Sequence, residues 1–142
     1  MTTPLAIYVH IPFCAKHCAY CDFNTYVERT QSSLVLQTVD AICRDIEQTA
    51  QMQAQSDSNL SDLPESAVTT IFFGGGTPTF LSGEQLARIL RTIRDCFPVH
   101  PEAEISSEAN PGSSDATKFQ AMRAARVSLI GMFTAPCRLP SL

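Results

Sequence analysis

Residues 10–23 read HIPFCAKHCAYCDF, from His10 to Phe23, and stand just after a short apolar run. Within them Cys14, Cys18 and Cys21 supply three thiols at Cys-x3-Cys-x2-Cys spacing, and then the supply stops. A closed structural metal site wants four protein ligands. A cubane iron–sulfur cluster has four irons to hold, so three thiolates leave one iron open to a ligand that is not protein. The alternative on spacing alone is a Cys3His zinc site completed by His10 or His17. His17 sits inside the cysteine loop, where its ring is awkwardly placed as a fourth ligand to the same ion.

Working outward, the chain alternates strand and helix. Leu5 to His10 predicts a strand leading into the cysteine loop, and Ser33 to about Gln55 a helix with Val35, Val39, Ile42, Cys43 and Ile46 on its apolar stripe. The polar, proline-containing stretch Ser56 to Ser66 reads as a connection. Val68 to Phe73 is a β-branched and aromatic strand. Ser82 with Gln85 makes a capping box for a second helix ending near Phe97 and Pro98, its stripe formed by Leu86, Ile89, Leu90, Ile93 and Cys96. Ala103 to Ala109 alternates as a third strand, Asn110-Pro-Gly turns the chain, and Ser114 to Ala125 is a weaker helix. Val127 to Ile130 begins a fourth strand. The fold class is therefore α/β: about three βα units building a parallel sheet. Functional groups in such sheets gather at the carboxyl ends of the strands, and each motif here directly follows a strand.

Composition narrows the function classes. A chain of 142 residues with a net charge of −4 and dispersed Lys and Arg has no basic face for nucleic acid. No apolar run approaches a membrane span, and MTTPLAIYVHIPF lacks the pattern of a secretory signal. Six cysteines in that context read as reduced thiols or metal ligands, and a cytoplasmic location is expected. Cys43 and Cys96 read as small apolar residues of helix stripes; Cys137 receives no role.

Two further stretches matter: FFGGGTPTFL, Phe72 to Leu81, and EISSEANPG, Glu104 to Gly112. Three glycines at a strand end let backbone press close to a ligand, and Pro78 stiffens the loop. Together with the cysteine loop, in this order, these stretches resemble the radical S-adenosylmethionine (SAM) enzymes. Within that superfamily they are similar to the branch of oxygen-independent coproporphyrinogen III oxidases and HemW-type haem chaperones.

The resemblance carries specific implications. Cys14, Cys18 and Cys21 would hold a four-iron, four-sulfur cluster with SAM exchanging at the open iron, and electron transfer to SAM would release a 5′-deoxyadenosyl radical. Gly75, Gly76 and Thr77 would contact the SAM amino group, Glu108 its ribose hydroxyls, Tyr8 would lie beside it, and Tyr20 near cluster and adenine. Tyr8 has an equally good reading as a core tyrosine, and Glu104, nearest the strand's start, as the solvated carboxylate. The fold implied is the N-terminal portion of a partial (β/α) barrel over residues 1–125, with residues 126–142 an atypical tail that suggests truncation or a shifted reading frame. The function implied is haem binding for transfer to an acceptor protein, with haem a candidate further ligand and an electron donor a candidate partner. The alternative is oxidative decarboxylation of coproporphyrinogen III to protoporphyrinogen IX, a SAM-dependent oxidoreductase activity; whether the protein is an enzyme stays open at this point. The decarboxylases carry another cysteine where this chain has Phe23, which favours the chaperone.

Overall fold

The computed structural model describes residues 4–18, 21–56, 67–110, 114–127 and 129–132, the last of these as backbone. Strand β1 (Leu5–Ile11) runs into the cysteine loop, whose two-residue strands β2 (Phe13–Cys14) and β3 (Tyr26–Val27) pair in parallel. Helix α1 (Ser33–Ser56) leads to β4 (Val68–Gly75), and a 3-10 turn (Pro78–Phe80) then opens onto α2 (Gly83–Cys96). Strand β5 (Val99–Ala109), α3 (Ala116–Ala124) and β6 (Leu129–Met132) follow. The main sheet has the order β1-β4-β5-β6, with every neighbouring pair parallel. Consecutive strands lie side by side, so each βα unit adds one strand to the same edge, as the parallel-sheet reading expects.

Local chemistry explains the helices. The Ser32 hydroxyl accepts from the Val35 amide at 3.3 Å at the start of α1. The Ser82–Gln85 capping box is formed in both directions, at 2.8 and 3.2 Å, and satisfies two amides that the first turn of α2 would leave unpaired. Asp115 caps α3 through the Lys118 amide at 2.7 Å.

The two faces of the sheet differ. Val9 and Ile11 of β1, Ile71 and Phe73 of β4, and Ile105 of β5 are buried against Val35, Val39 and Cys43 of α1, Leu86, Ile89, Leu90 and Ile93 of α2, and Met122 of α3. The register places Tyr8, Phe72 and Ser106 side by side on the opposite face, with His10 beside Gly74 one step further on. Tyr8 is 55% exposed and His10 is exposed.

Two elements depart from expectation. Strand β5 begins at Val99, four residues before the alternating pattern, and carries Pro101 within it. The register with β4 jumps from Val68↔Val99 to Thr70↔Glu104, so an irregularity absorbs the residue that cannot donate to the ladder. Helix α3 is shorter than its apolar pattern, and β6 lies at Leu129–Met132 where a strand over Val127 to Ile130 was expected.

Candidate functional site

The carboxyl ends of β1, β4 and β5 meet at a cavity of about 230 Å³. It is lined by Cys14, Cys18 and Cys21 of the cysteine loop with Phe23, by Gly75, Gly76 and Thr77 at the end of β4, and by Glu108, Ala109 and Asn110 at the end of β5. Seven of the nine residues given cluster or SAM roles from the sequence, together with Phe23, are thus brought to one cavity. None of the three cysteines is in a disulfide. Among the described residues, no three His, Cys, Asp or Glu side chains converge as ligands of one metal ion would; His17 is exposed on the cysteine loop.

The glycine loop is built against the cysteine loop. The Gly76 amide donates to the Ile11 carbonyl at 2.7 Å and the Thr77 amide to the Phe13 carbonyl at 2.8 Å. These bonds continue the β1–β4 pairing past the end of both strands and fix the chain on either side of Pro12. A Cβ on Gly76 would stand 2.7 Å from the Phe13 carbonyl oxygen and 3.1 Å from Cys14 Sγ. Gly75 has φ of 109°, a conformation that side chains disfavour. A Cβ there would also stand 2.7 Å from His10 Nδ1. The glycines therefore make room for the cysteine-loop backbone and the His10 ring as well as opening onto the cavity. Within the cysteine loop the Cys21 amide donates to the Cys18 carbonyl at 3.0 Å, and the Tyr26 amide returns to the Pro12 carbonyl at 2.8 Å.

Glu108 is half-buried, whereas Glu104 on the same strand is exposed, the assignment made from their positions along the strand. Burial raises the Glu108 carboxyl above its ordinary range, and a hydrogen bond from the Gly75 amide works in the opposite direction. Tyr8 lies outside the cavity wall but close enough to feel Glu108: partial burial, then the carboxylate's charge, raises its phenol. Its hydroxyl is 3.1 Å from His10 Nδ1 and its ring 5.7 Å from that of Phe72. Tyr20 lies outside the described residues, as does Cys137.

Three residues in or around the site had gone unassigned in the sequence. Asn110, read as a turn former, lines the cavity, and its amide donates to Thr79 Oγ1 at 3.3 Å. His10 had been weighed only as a zinc ligand; it pairs with Tyr8 and packs over Gly75. Lys118, with its ammonium lowered by burial, donates to the Thr79 carbonyl and fastens α3 to the turn after the glycine loop. The first two sit beside recognised motif residues, which is the only signal the sequence offers for them.

A larger cavity, about 910 Å³, opens at the other end of β5 beside Arg94, His100, Glu102 and Arg126. It contains no thiol, and of the motif stretches it touches only Glu104 and Ile105, at the far end of β5 from Glu108. Donor chemistry, rather than size, makes the smaller cavity the candidate site.

Residues 8–133 match the family described as the Radical SAM superfamily, and the chain belongs to that superfamily, whose members use a four-iron, four-sulfur cluster and SAM. Among its relatives, the heme chaperone HemW of Mycobacterium tuberculosis (strain CDC 1551 / Oshkosh) is 39% identical, the alignment covering 98% of this chain and 34% of that protein. HemW of Escherichia coli (strain K12) is 35% identical, over 91% of this chain and 31% of the relative. Anaerobilin synthase of Escherichia coli O157:H7 is 39% identical over 81% of this chain and 24% of its own length. Among solved structures, the coproporphyrinogen III oxidase of Escherichia coli, described as a radical SAM enzyme, superposes with a TM-score of 0.77 at 32% identity, over 91% of this chain and 27% of that one. The chain spans about a third of the length of the HemW relatives it matches.

Proposed function

We propose that this chain forms the cluster- and SAM-binding part of a HemW-type haem chaperone that binds haem and transfers it to an acceptor protein. The observation that carries the reading is the single cavity shared by Cys14, Cys18, Cys21, the glycine loop and Glu108. The donor set fits the family's cofactors: three cysteines outside any disulfide line one cavity and suit three irons of a cluster, and no further cysteine lines the cavity among the described residues. When bound together, the cluster and SAM would supply one-electron reductive cleavage of a carbon–sulfur bond.

The chain's own residues do the rest. Cys14, Cys18 and Cys21 bind as thiolates, their deprotonation driven by metal binding. Gly75, Gly76 and Thr77, which line the cavity, would present backbone to the SAM amino group. Glu108 offers its carboxylate to the ribose hydroxyls, oriented by the Gly75 amide; burial strengthens such hydrogen bonds. Tyr8 and Tyr20 complete the SAM surroundings in this reading. Cysteines outside disulfides, among the described residues, suit a reducing, cytoplasmic compartment, and an electron donor would be a partner. No helix among the described residues is long and apolar enough to cross a membrane.

The likeness to coproporphyrinogen III oxidase supports a second reading, decarboxylation of coproporphyrinogen III. Phe23 weighs against it. It lines the cavity, 67% exposed, at the position where the decarboxylases carry an additional thiol. The test uses a complete protein containing this chain. Haem titration should show saturable binding, and anaerobic incubation with SAM, reductant and coproporphyrinogen III should yield no protoporphyrinogen IX. Formation of that product would make the second reading correct, and absence of haem binding would overturn the first.

A further inference from the structure

The hydroxyl of Thr77 has an assignment beyond SAM contact. Its oxygen stands 3.5 Å from Cys14 Sγ, within reach of an O–H···S hydrogen bond. The geometry is built in from both sides. The Thr77 amide is bonded to the Phe13 carbonyl, the residue before Cys14, and the Gly76 amide to the Ile11 carbonyl. Pro78, buried directly after Thr77, limits the backbone further. The hydroxyl is thus held beside the sulfur by main-chain bonds on two consecutive residues.

In the free thiol either atom can donate. A thiolate on iron has no proton, so the direction becomes unique: Thr77 donates and sulfur accepts. A hydroxyl has one proton and two lone pairs, so donation to sulfur still leaves it able to accept from an ammonium group in the cavity. Hydrogen bonds to ligand sulfurs are among the determinants of iron–sulfur potentials. The reason is electrostatic: the added electron spreads onto the thiolates, and a donor stabilises the more negative state more.

We propose that Thr77 is a positioning residue for Cys14, its hydroxyl donating to the ligand sulfur so as to join the glycine loop to the cluster and raise the cluster's reduction potential. The inference rests on the proposed cluster site, and its test separates the two. The whole chain is reconstituted anaerobically with iron and sulfide as wild type, T77V, T77A and T77S, and each is titrated potentiometrically with the reduced cluster followed by EPR. T77V and T77A should load iron and titrate at a lower potential than wild type, while T77S, which retains the hydroxyl, should titrate with wild type. T77A removes the donor with less crowding than T77V, so either variant decides if the other does not load. Loss of loading in both, with normal loading in T77S, also supports the inference. Equal potentials in all four proteins overturn it while leaving the cluster site intact, as does failure of T77S to load alongside T77V and T77A. A wild-type chain that takes up no iron–sulfur cluster overturns the site and the inference together.

Discussion

The two faces of one sheet follow different rules. On the face toward the helices, β1 and β4 place Val9, Ile11, Ile71 and Phe73, all 4% exposed or less. On the other face the same strands place Tyr8, His10 and Phe72, which are exposed or half-buried, and β5 adds Glu108. A strand alternates its side chains strictly, so the chemistry of one face can vary while the other carries the packing. The helix-covered face supplies stability, and the carboxyl edge with the bare face supplies the site. Substitutions should therefore separate into those that unfold the chain and those that empty the site.

The strongest test of that division is Cys18→Ala. Cys18 lines the cavity and is only partly buried, so its truncation would remove a proposed ligand and little packing. Iron in the reconstituted protein should drop from about four per chain to background, while the cluster-free protein keeps its unfolding midpoint. A variant that retains iron–sulfur absorption, or a wild type that binds one zinc and no iron, would remove the cluster from this edge.

Ile89→Ala is the counterpart on the covered face. Ile89 is fully buried in the core formed by α2 and the sheet, and emptying such a site costs about 2–5 kcal/mol. Urea unfolding of the cluster-free chain should show that loss as a lower midpoint with an unchanged slope. A cost below about 0.5 kcal/mol would mean that the helices do not pack as described.

Gly76→Val lies where the two regions meet. The new Cβ would meet the Phe13 carbonyl at 2.7 Å, a backbone atom that yields only if β2 and the first cysteine move with it. Overpacking of this kind costs about 1–3 kcal/mol. Here the damage should also appear as reduced iron loading, since Cys14 Sγ stands 3.1 Å from the same point. Wild-type loading together with a wild-type midpoint would show that the loop has more room than the geometry allows.

The covered face was the legible one. Val35, Val39 and Cys43 recur at helical spacing, and the Ser82–Gln85 pair announces the start of α2, so element type and position follow from local pattern. The first four residues of β5, Val99 to Glu102, lie outside the alternation that marks Ala103 to Ala109, and they join the strand where Val99 pairs with Val68 in an irregular register. At the candidate site, spacing singled out the cysteines, the family resemblance pointed to the glycine loop and Glu108, and the structure brings all of them to one cavity. The contacts that join them did not show. The Ile11 and Phe13 carbonyls accept from Gly76 and Thr77 across more than sixty residues of sequence, and a main-chain acceptor carries no mark of residue type. The same holds for the Thr79 carbonyl under Lys118.

The smallest expected effect tests the electrostatics of the bare face. Burial raises the Glu108 carboxyl, and the Gly75 amide offsets only part of that rise. A carboxyl whose value is higher in the folded chain holds its proton over a range where the unfolded chain has lost it. Stability is then greatest below the ordinary glutamate value and declines as pH rises through the folded value. This is opposite in sign to a salt-bridged carboxylate. Glu108→Gln removes the titration and keeps the shape. Between about pH 4 and pH 7, the cluster-free wild type should lose stability relative to E108Q, by about 0.5 kcal/mol or less given the group's partial exposure. Unfolding midpoints of the two proteins across that range measure the difference directly. A wild type that gains on E108Q as pH rises would mean that the Gly75 hydrogen bond outweighs burial, and that Glu108 sits charged and stabilised before any ligand reaches the cavity.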